Sequence, residues 1–210
     1  MATQERSTTP TLAMAAGAPY VSAMIEIRTG TPAMTLTLPP WLEAGARSMP
    51  SDEERVRFVL ELARRSMEEG GGPFAAAIFD EDDTLLAAGA NLVVPGGSSL
   101  LHAEVVAILA AQGRVGHYSL RAGGRRQMVA SCDPCAMCLG AIHWAGLTGL
   151  VTAAATDDAR AAGFDEGPVD DASFAYLERR GMSVRRGVLR AEGAALLEAY
   201  AATGGSIYNA

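Results

Sequence analysis

Lysine is absent from this 210-residue chain, and all 17 of its basic residues are arginines. Without a lysine amine there is no Schiff-base chemistry, no anchoring of pyridoxal phosphate and no phosphate-loop lysine. Cysteine is scarce too: three residues are an odd number and too few for a disulfide scaffold, so a reducing compartment, the cytoplasm, is expected. The basic residues fall short of the 24 acidic ones, and the net charge of -7 repels phosphate backbones at long range. A small substrate is therefore expected over nucleic acid. Long apolar runs are also missing. The longest mildly apolar stretch near the start, Thr11 to Ile25, is broken by Gly17 and Pro19 and follows no positive cluster, which reads against a signal peptide. Nothing is long enough to span a membrane.

What is present suits one globular domain with extensions, since 49% of the residues are apolar. Residues 1–50 are rich in Ala, Thr, Pro and Gly and read as an N-terminal extension, with only Thr35 to Leu38 alternating like a strand. Ser51 and Glu54 form a capping box, after which Val56, Val59, Leu60, Ala63 and Met67 recur at helical spacing, so the ordered domain is expected over 51–203. Phe74 to Phe79 and Thr84 to Ala90 read as a hairpin, followed by a glycine and serine loop and a helix from about Leu101 to Gln112. Strands are expected near 127–131, 147–154 and 182–189, with helices after Asp133 and near 157–162, 171–180 and 191–202. Alternation of this kind predicts an α/β fold, a three-layer α/β/α sandwich around a mixed five-stranded sheet, with a C-terminal tail over 204–210.

All three cysteines lie in the stretch Ser131-Cys132-Asp133-Pro134-Cys135-Ala136-Met137-Cys138. Asp133 suits a helix N-cap and Pro134 the first helical position, which puts the stretch on a strand-to-helix turn with Cys135 and Cys138 on one helical face. A Cys-x-x-Cys pair alone is equally a redox pair or two core thiols. The third member comes from His102, at the start of a helix in Leu101-His102-Ala103-Glu104. His-x-Glu followed downstream by Pro-Cys-x-x-Cys matches the zinc deaminase signature, in which one His and two Cys hold the metal and the Glu does not. Three protein ligands leave zinc one position for a water, and Glu104 is the candidate proton shuttle. Cys132 reads as a structural thiol pointing to the other side. His117 reads as a loop residue and His143 as a helix residue. A closed structural site, with one of these as fourth ligand, is the competing arrangement.

With these residues in view, the sequence resembles the cytidine deaminase-like superfamily, nearest its guanine deaminase branch. The match runs from about Gly71 to Glu166. It includes Gly72-Pro73-Phe74, Asn91, His102-Ala103-Glu104, Pro134-Cys135-Ala136-Met137-Cys138, Trp144 and Ala162-Gly163-Phe164-Asp165-Glu166. The resemblance implies a zinc-dependent hydrolase that replaces an exocyclic amine of a purine-like ring by a carbonyl, with Glu104 moving the protons. It implies that Asn91 hydrogen-bonds the substrate and that Trp144 packs on the ring, although taken alone Trp144 would read as core and Asn91 as a turn residue. Phe74 and Ala103 are counted with the substrate-contacting positions. A homodimer is implied as well, with the C-terminal segment completing a pocket. The sequence departs from the family pattern at Ala75, Leu100-Leu101, Asp133 and Glu166, where Gly, Thr-Ala, Glu and Asp are usual. These changes leave the substrate open between guanine, guanosine and another aminated heterocycle. Glu166 is expected to read the donor edge of the ring. A tRNA adenosine editor and a non-catalytic zinc-folded module are the alternatives from other classes.

Overall fold

The structure is a computed structural model that describes residues 25–27, 34–42 and 47–208, with 25–27 and 34–36 described by their backbone. Five strands form the central sheet: β3 (Ala75–Phe79), β4 (Leu85–Ala90), β5 (Gln127–Cys132), β6 (Gly149–Ala154) and β7 (Ser183–Arg185). Their spatial order is β4-β3-β5-β6-β7, with β3 antiparallel to β4 and β5 while β5, β6 and β7 run parallel. The expected mixed five-stranded sheet is thus present. A separate antiparallel pair joins β1 (Ile25–Ile27) to β2 (Met34–Leu36), overlapping the strand expected from Thr35. The helices are α1 (Asp52–Glu68), α2 (Val93–Gly96), α3 (Ala103–Val115), α4 (Ala136–Trp144), α5 (Thr156–Ala161), α6 (Asp171–Arg179) and α7 (Arg190–Ala202). None is long and apolar enough to cross a membrane. Of the early apolar segment that ends at Ile25, residues 11–24 lie outside the described residues.

Strand periodicity sorts the core into two layers. Ala75, Ala77 and Phe79 of β3 pack with Val129 and Val151 against Val56, Val59, Leu60 and Ala63 of α1 and Leu196 of α7. The alternate residues Ala76 and Ile78 join Met128, Ala130 and Leu150 against α3, α4 and α6. This is the three-layer sandwich. The alanines matter because small side chains let helices approach closely. At Gly89 of β4 the approach is closest: a Cβ there would lie 2.2 Å from the carbonyl oxygen of Ala103 and 2.5 Å from the amide nitrogen of Ala107. The first turn of α3 therefore rests on the backbone of β4.

Three boundaries differ from the sequence reading. Packing begins before Ser51, because Leu38, Leu42 and Met49 are buried, Ser48 bridges Thr84, and Arg55 donates through Nε to the Met49 carbonyl at 2.7 Å. Strand β7 is short, since Gly187 and Leu189 turn the chain into the left-handed region at φ 76° and 57°. Asp133 is not a helix cap: α4 starts at Ala136 with Cys135 as its N-cap residue, and the Asp133 carboxylate turns inward. The capping box at Ser51 and Glu54 stands as expected.

Candidate active site

His102 is the N-cap residue of α3 and Cys135 that of α4, and Cys138 lies in the first turn of α4. Two helix N-termini thus converge, and their positive ends favour thiolates between them. His102 Nδ1 lies 3.6 Å from Cys135 Sγ and 3.7 Å from Cys138 Sγ, and the three donor atoms all fall within 4.8 Å of one another. Zinc bonds of about 2.3 Å to sulfur and about 2.0 Å to nitrogen at tetrahedral angles require donor separations of about 3.6 Å, which the two histidine–cysteine separations match, so the donor set suits the metal. Among the described residues no other cluster of this kind occurs. Cys132 faces away, donating to the Ala155 carbonyl at 3.7 Å, as a buried structural thiol should. His117 packs on Tyr118 and His143 on Tyr176, so neither completes the set.

Glu104 follows two residues after His102 and is 8% exposed. Burial, then the charge of Cys135, raises its carboxyl above the usual range. Glu166 is 5% exposed, and burial with the same neighbouring charges pushes it up to about 8. Cys135 moves the other way, down to about 4, because the Cys138 thiol hydrogen-bonds it despite burial. Burial pulls His102 down, but the Cys135 hydrogen bond and the Glu104 charge outweigh it and leave the imidazole raised.

A cavity of about 20 Å³ sits among His102, Glu104, Cys135, Asn91, Phe74 and Tyr208, with Asp133 and Glu166 completing its wall. It has room for about one water. A groove of about 340 Å³ opens beyond it, sharing His102, Cys135, Glu166 and Tyr208 and adding Val93, Ser99 and Met137. That volume lies at the lower end of small-molecule sites. Asn91 is 1% exposed; its Oδ1 accepts from the Val93 amide at 3.2 Å, which holds the side chain at the cavity wall. Phe74 meets Phe164 edge-on at 4.9 Å. The C-terminal tail folds over the site. Tyr208 packs against Phe164 at 5.4 Å, its hydroxyl is buried without a hydrogen-bond partner, and it sits so close to Gly72 that a Cβ there would lie 2.2 Å from it.

Two of the residues expected at the substrate line neither the cavity nor this groove. Trp144 is 80% exposed and lines a different groove with Leu139, His143, Tyr176 and Leu177, away from the metal donors of its own chain. Ala103 turns its methyl into the core beneath α3, not into the cavity. Leu101 is likewise core, and Leu100 is exposed. Two further residues adjoin the site: Asp133, whose place before a helix resembles a cap, and its partner Arg186, which no local motif marks.

Known proteins share this fold. The cytidine and deoxycytidylate deaminase zinc-binding region matches residues 49–154. The guanine deaminase of Bacillus subtilis (strain 168) is 42% identical over 127 residues, which cover 60% of this chain and 75% of that protein. The solved guanine deaminase from Nitrosomonas europaea superposes with a TM-score of 0.76 at 43% identity, covering 79% of this chain and 94% of the other. A structure solved in complex with 2,6-diaminopurine gives 0.78 at 44% identity, covering 82% and 94%. By these matches the chain belongs to the family defined by the cytidine and deoxycytidylate deaminase zinc-binding region, on its guanine deaminase branch.

Proposed function

We propose that this protein is a zinc-dependent hydrolase that converts an exocyclic amine of guanine, or of a closely related purine-like ring, to a carbonyl with release of ammonia. The observation that carries the reading is a buried carboxylate, Glu104, at a water-sized cavity lined by His102 and Cys135, two of the three donors of a zinc-binding set. Zinc in that site supplies Lewis-acid activation of a water. Glu104 Oε takes a proton from the attacking water and delivers it to the ring nitrogen next to the amine carbon, then takes the remaining proton from the hydroxyl formed on that carbon and passes it to the departing nitrogen as the carbonyl forms, so that water is consumed and ammonia leaves. Asn91 and Phe74 orient the ring from the inner wall, and Glu166 accepts from ring or amino N–H groups on the groove side. Tyr208 excludes bulk water and offers its unpartnered hydroxyl to the substrate. The relatives at 42 to 44% identity support the substrate class.

Ammonia release measured across purines, pterins, pyrimidines and their nucleosides tests the reading. Turnover of guanine or another 2-amino- or 6-amino-purine is expected, and turnover of none of these rings refutes it. Glu166 is tested by the relative kcat/KM for guanine, guanosine and related rings. Glu166→Gln and Glu166→Ala are expected to flatten those ratios, and unchanged ratios remove it as a selectivity element. A nucleic-acid substrate fits less well, because Arg185 pairs with Asp52 and Glu53 and Arg190 with Asp158, instead of forming a basic surface. We further infer a homodimer, in which the exposed apolar face of α4 around Trp144 meets a second copy, and a cytoplasmic setting, in which all three thiols stay reduced. Light scattering of the purified chain tests the dimer.

A further inference from the structure

A polar cluster beside the metal donors has no part in the proposed proton chemistry. Asp133 stands two residues before Cys135 at the end of β5 and is 2% exposed. Its carboxylate accepts from Thr152 Oγ1 at 2.6 Å on β6, and from the amide and hydroxyl of Thr156 at 3.1 and 3.3 Å where α5 begins. Arg186, just after β7, completes the shell with a two-pronged contact, Nε to Oδ2 at 3.1 Å and Nη2 to Oδ2 at 2.6 Å, while Nε also lies 3.2 Å from Oδ1. The guanidinium is itself held. Nη1 donates to Asp171 at 2.8 Å, and the group lies 3.9 Å from the centroid of the Phe174 ring.

What this cluster fixes is the backbone leading to a metal donor. Cys135 is an N-cap residue with φ -66° and ψ 171°, so its thiol is placed by the turn before α4 and not by the hydrogen-bond ladder of the helix. Cys138, inside α4, needs no such help. The turn has a backbone bond at each end, from the Asp133 amide to Ala154 at 2.8 Å and from the Ala136 amide to Glu166 at 3.0 Å. Pro134 between them has no amide to give. The Asp133 side chain is the remaining anchor, and a charge so deeply buried is tenable there only with a fixed cation against it. A tetrahedral donor set tolerates displacements of about 0.5 Å at most.

We propose that Arg186 is a positioning residue for the metal centre: through its forked ion pair with Asp133 it holds the 133–135 turn, and so keeps Cys135 at zinc-binding distance from His102. The inference rests on the zinc reading of the donor set. It gives a segment outside the matched zinc-binding region, which ends at residue 154, control over metal retention.

The test is the zinc affinity of the full-length chain, read by competition with a chromogenic chelator in the absence of substrate. Arg186→Met is expected to weaken zinc binding about 10- to 100-fold, the range found when an outer partner of a metal ligand is lost. Arg186→Lys, which keeps the charge but not the fork, is expected to fall between Met and wild type. In the double variant with Asp133→Asn, the effect of Arg186→Met should shrink, because the two residues act as a pair. Zinc affinity within about twofold of wild type in Arg186→Met, whatever its melting temperature, overturns the proposal by reducing Arg186 to a brace for the fold. If the Met variant does not fold, a wild-type zinc affinity in Arg186→Lys overturns it instead. A wild-type protein that takes up no zinc sinks the metal reading itself, a different result from a folded variant that keeps its zinc.

Discussion

Arg55 and Glu104 are both ionisable residues inside the core, one near the start of β5 and the other near its end, and their surroundings are opposite in kind. Arg55 donates from Nε to the Met49 carbonyl, from Nη1 to Gln127 Oε1 at 2.6 Å and from Nη2 to Asp83, and it also lies over Phe79. Its fork is fully occupied by its own chain, and it ties the segment before α1 to the β3–β4 turn and the start of β5. Glu104 has acidic neighbours, a shifted proton affinity and a cavity beside it, with the unpartnered Tyr208 hydroxyl on the far wall. Burial in the first case is satisfied and serves stability. In the second a buried hydroxyl beside the carboxyl's cavity is left without a partner, which is how a site is kept ready for a substrate.

The contrast can be broken at either end. Glu104→Gln should lower kcat by a factor of roughly 100 or more while zinc content and Tm stay near wild type, the signature of a lost acid–base group. Metal analysis, melting curves and ammonia release together check this, and near-normal turnover would move the proton chemistry elsewhere. Arg55→Met should do the reverse. Asp83 is partly exposed, so the loss should fall below the range for a wholly buried pair, at about 2 kcal/mol, or a Tm about 5 °C lower, with kcat per folded molecule unchanged. Denaturant unfolding alongside steady-state kinetics measures both.

Smaller effects sharpen the same distinction. Tyr208→Phe removes only a hydroxyl that has no partner in the protein, so stability should hold or rise slightly while kcat/KM for the preferred ring falls about 5- to 10-fold, one hydrogen bond's worth. Unchanged kinetics would make the tyrosine a packing element. Ser51→Ala, which removes the α1 cap far from the metal donors, should cost about 1 kcal/mol and leave activity untouched.

Legibility in the sequence followed how local each cause is. His102, Glu104, Cys135 and Cys138 were readable because metal chemistry demands fixed residue types at fixed spacing, and the layer order was readable because strand and helix periods differ. Asp133 misled: an Asp-Pro pair before a helix is a good local capping signal, while its actual partner, Arg186, lies 53 residues away and leaves no local trace. Trp144 lies away from the donors of its own chain for a geometric reason. It comes six residues after Cys138 on one helix, a rotation of about 240° at 3.6 residues per turn, so the spacing that marks it also turns it from the donors. The end of β7 was overrun because Val184, Val188 and Leu189 continue an apolar pattern through Gly187, where the backbone has already left the strand. The packing of Leu38, Leu42 and Met49 was missed because a few apolar residues among prolines and glycines show no period.

Gly89 touches neither metal donors nor cavity, and in a mutational scan scored by distance from the reaction it would be counted among the silent positions. Its missing side chain is nonetheless what allows the turn bearing His102 and Glu104 to lie on the sheet. Adding one methyl at residue 89 requires the Ala103 carbonyl to retreat by about 1 Å, and the histidine and the glutamate on either side of Ala103 must move with it. A variant library aimed at new substrates should therefore hold residue 89 constant while it varies the walls of the groove, because the two sets of positions answer to different selections.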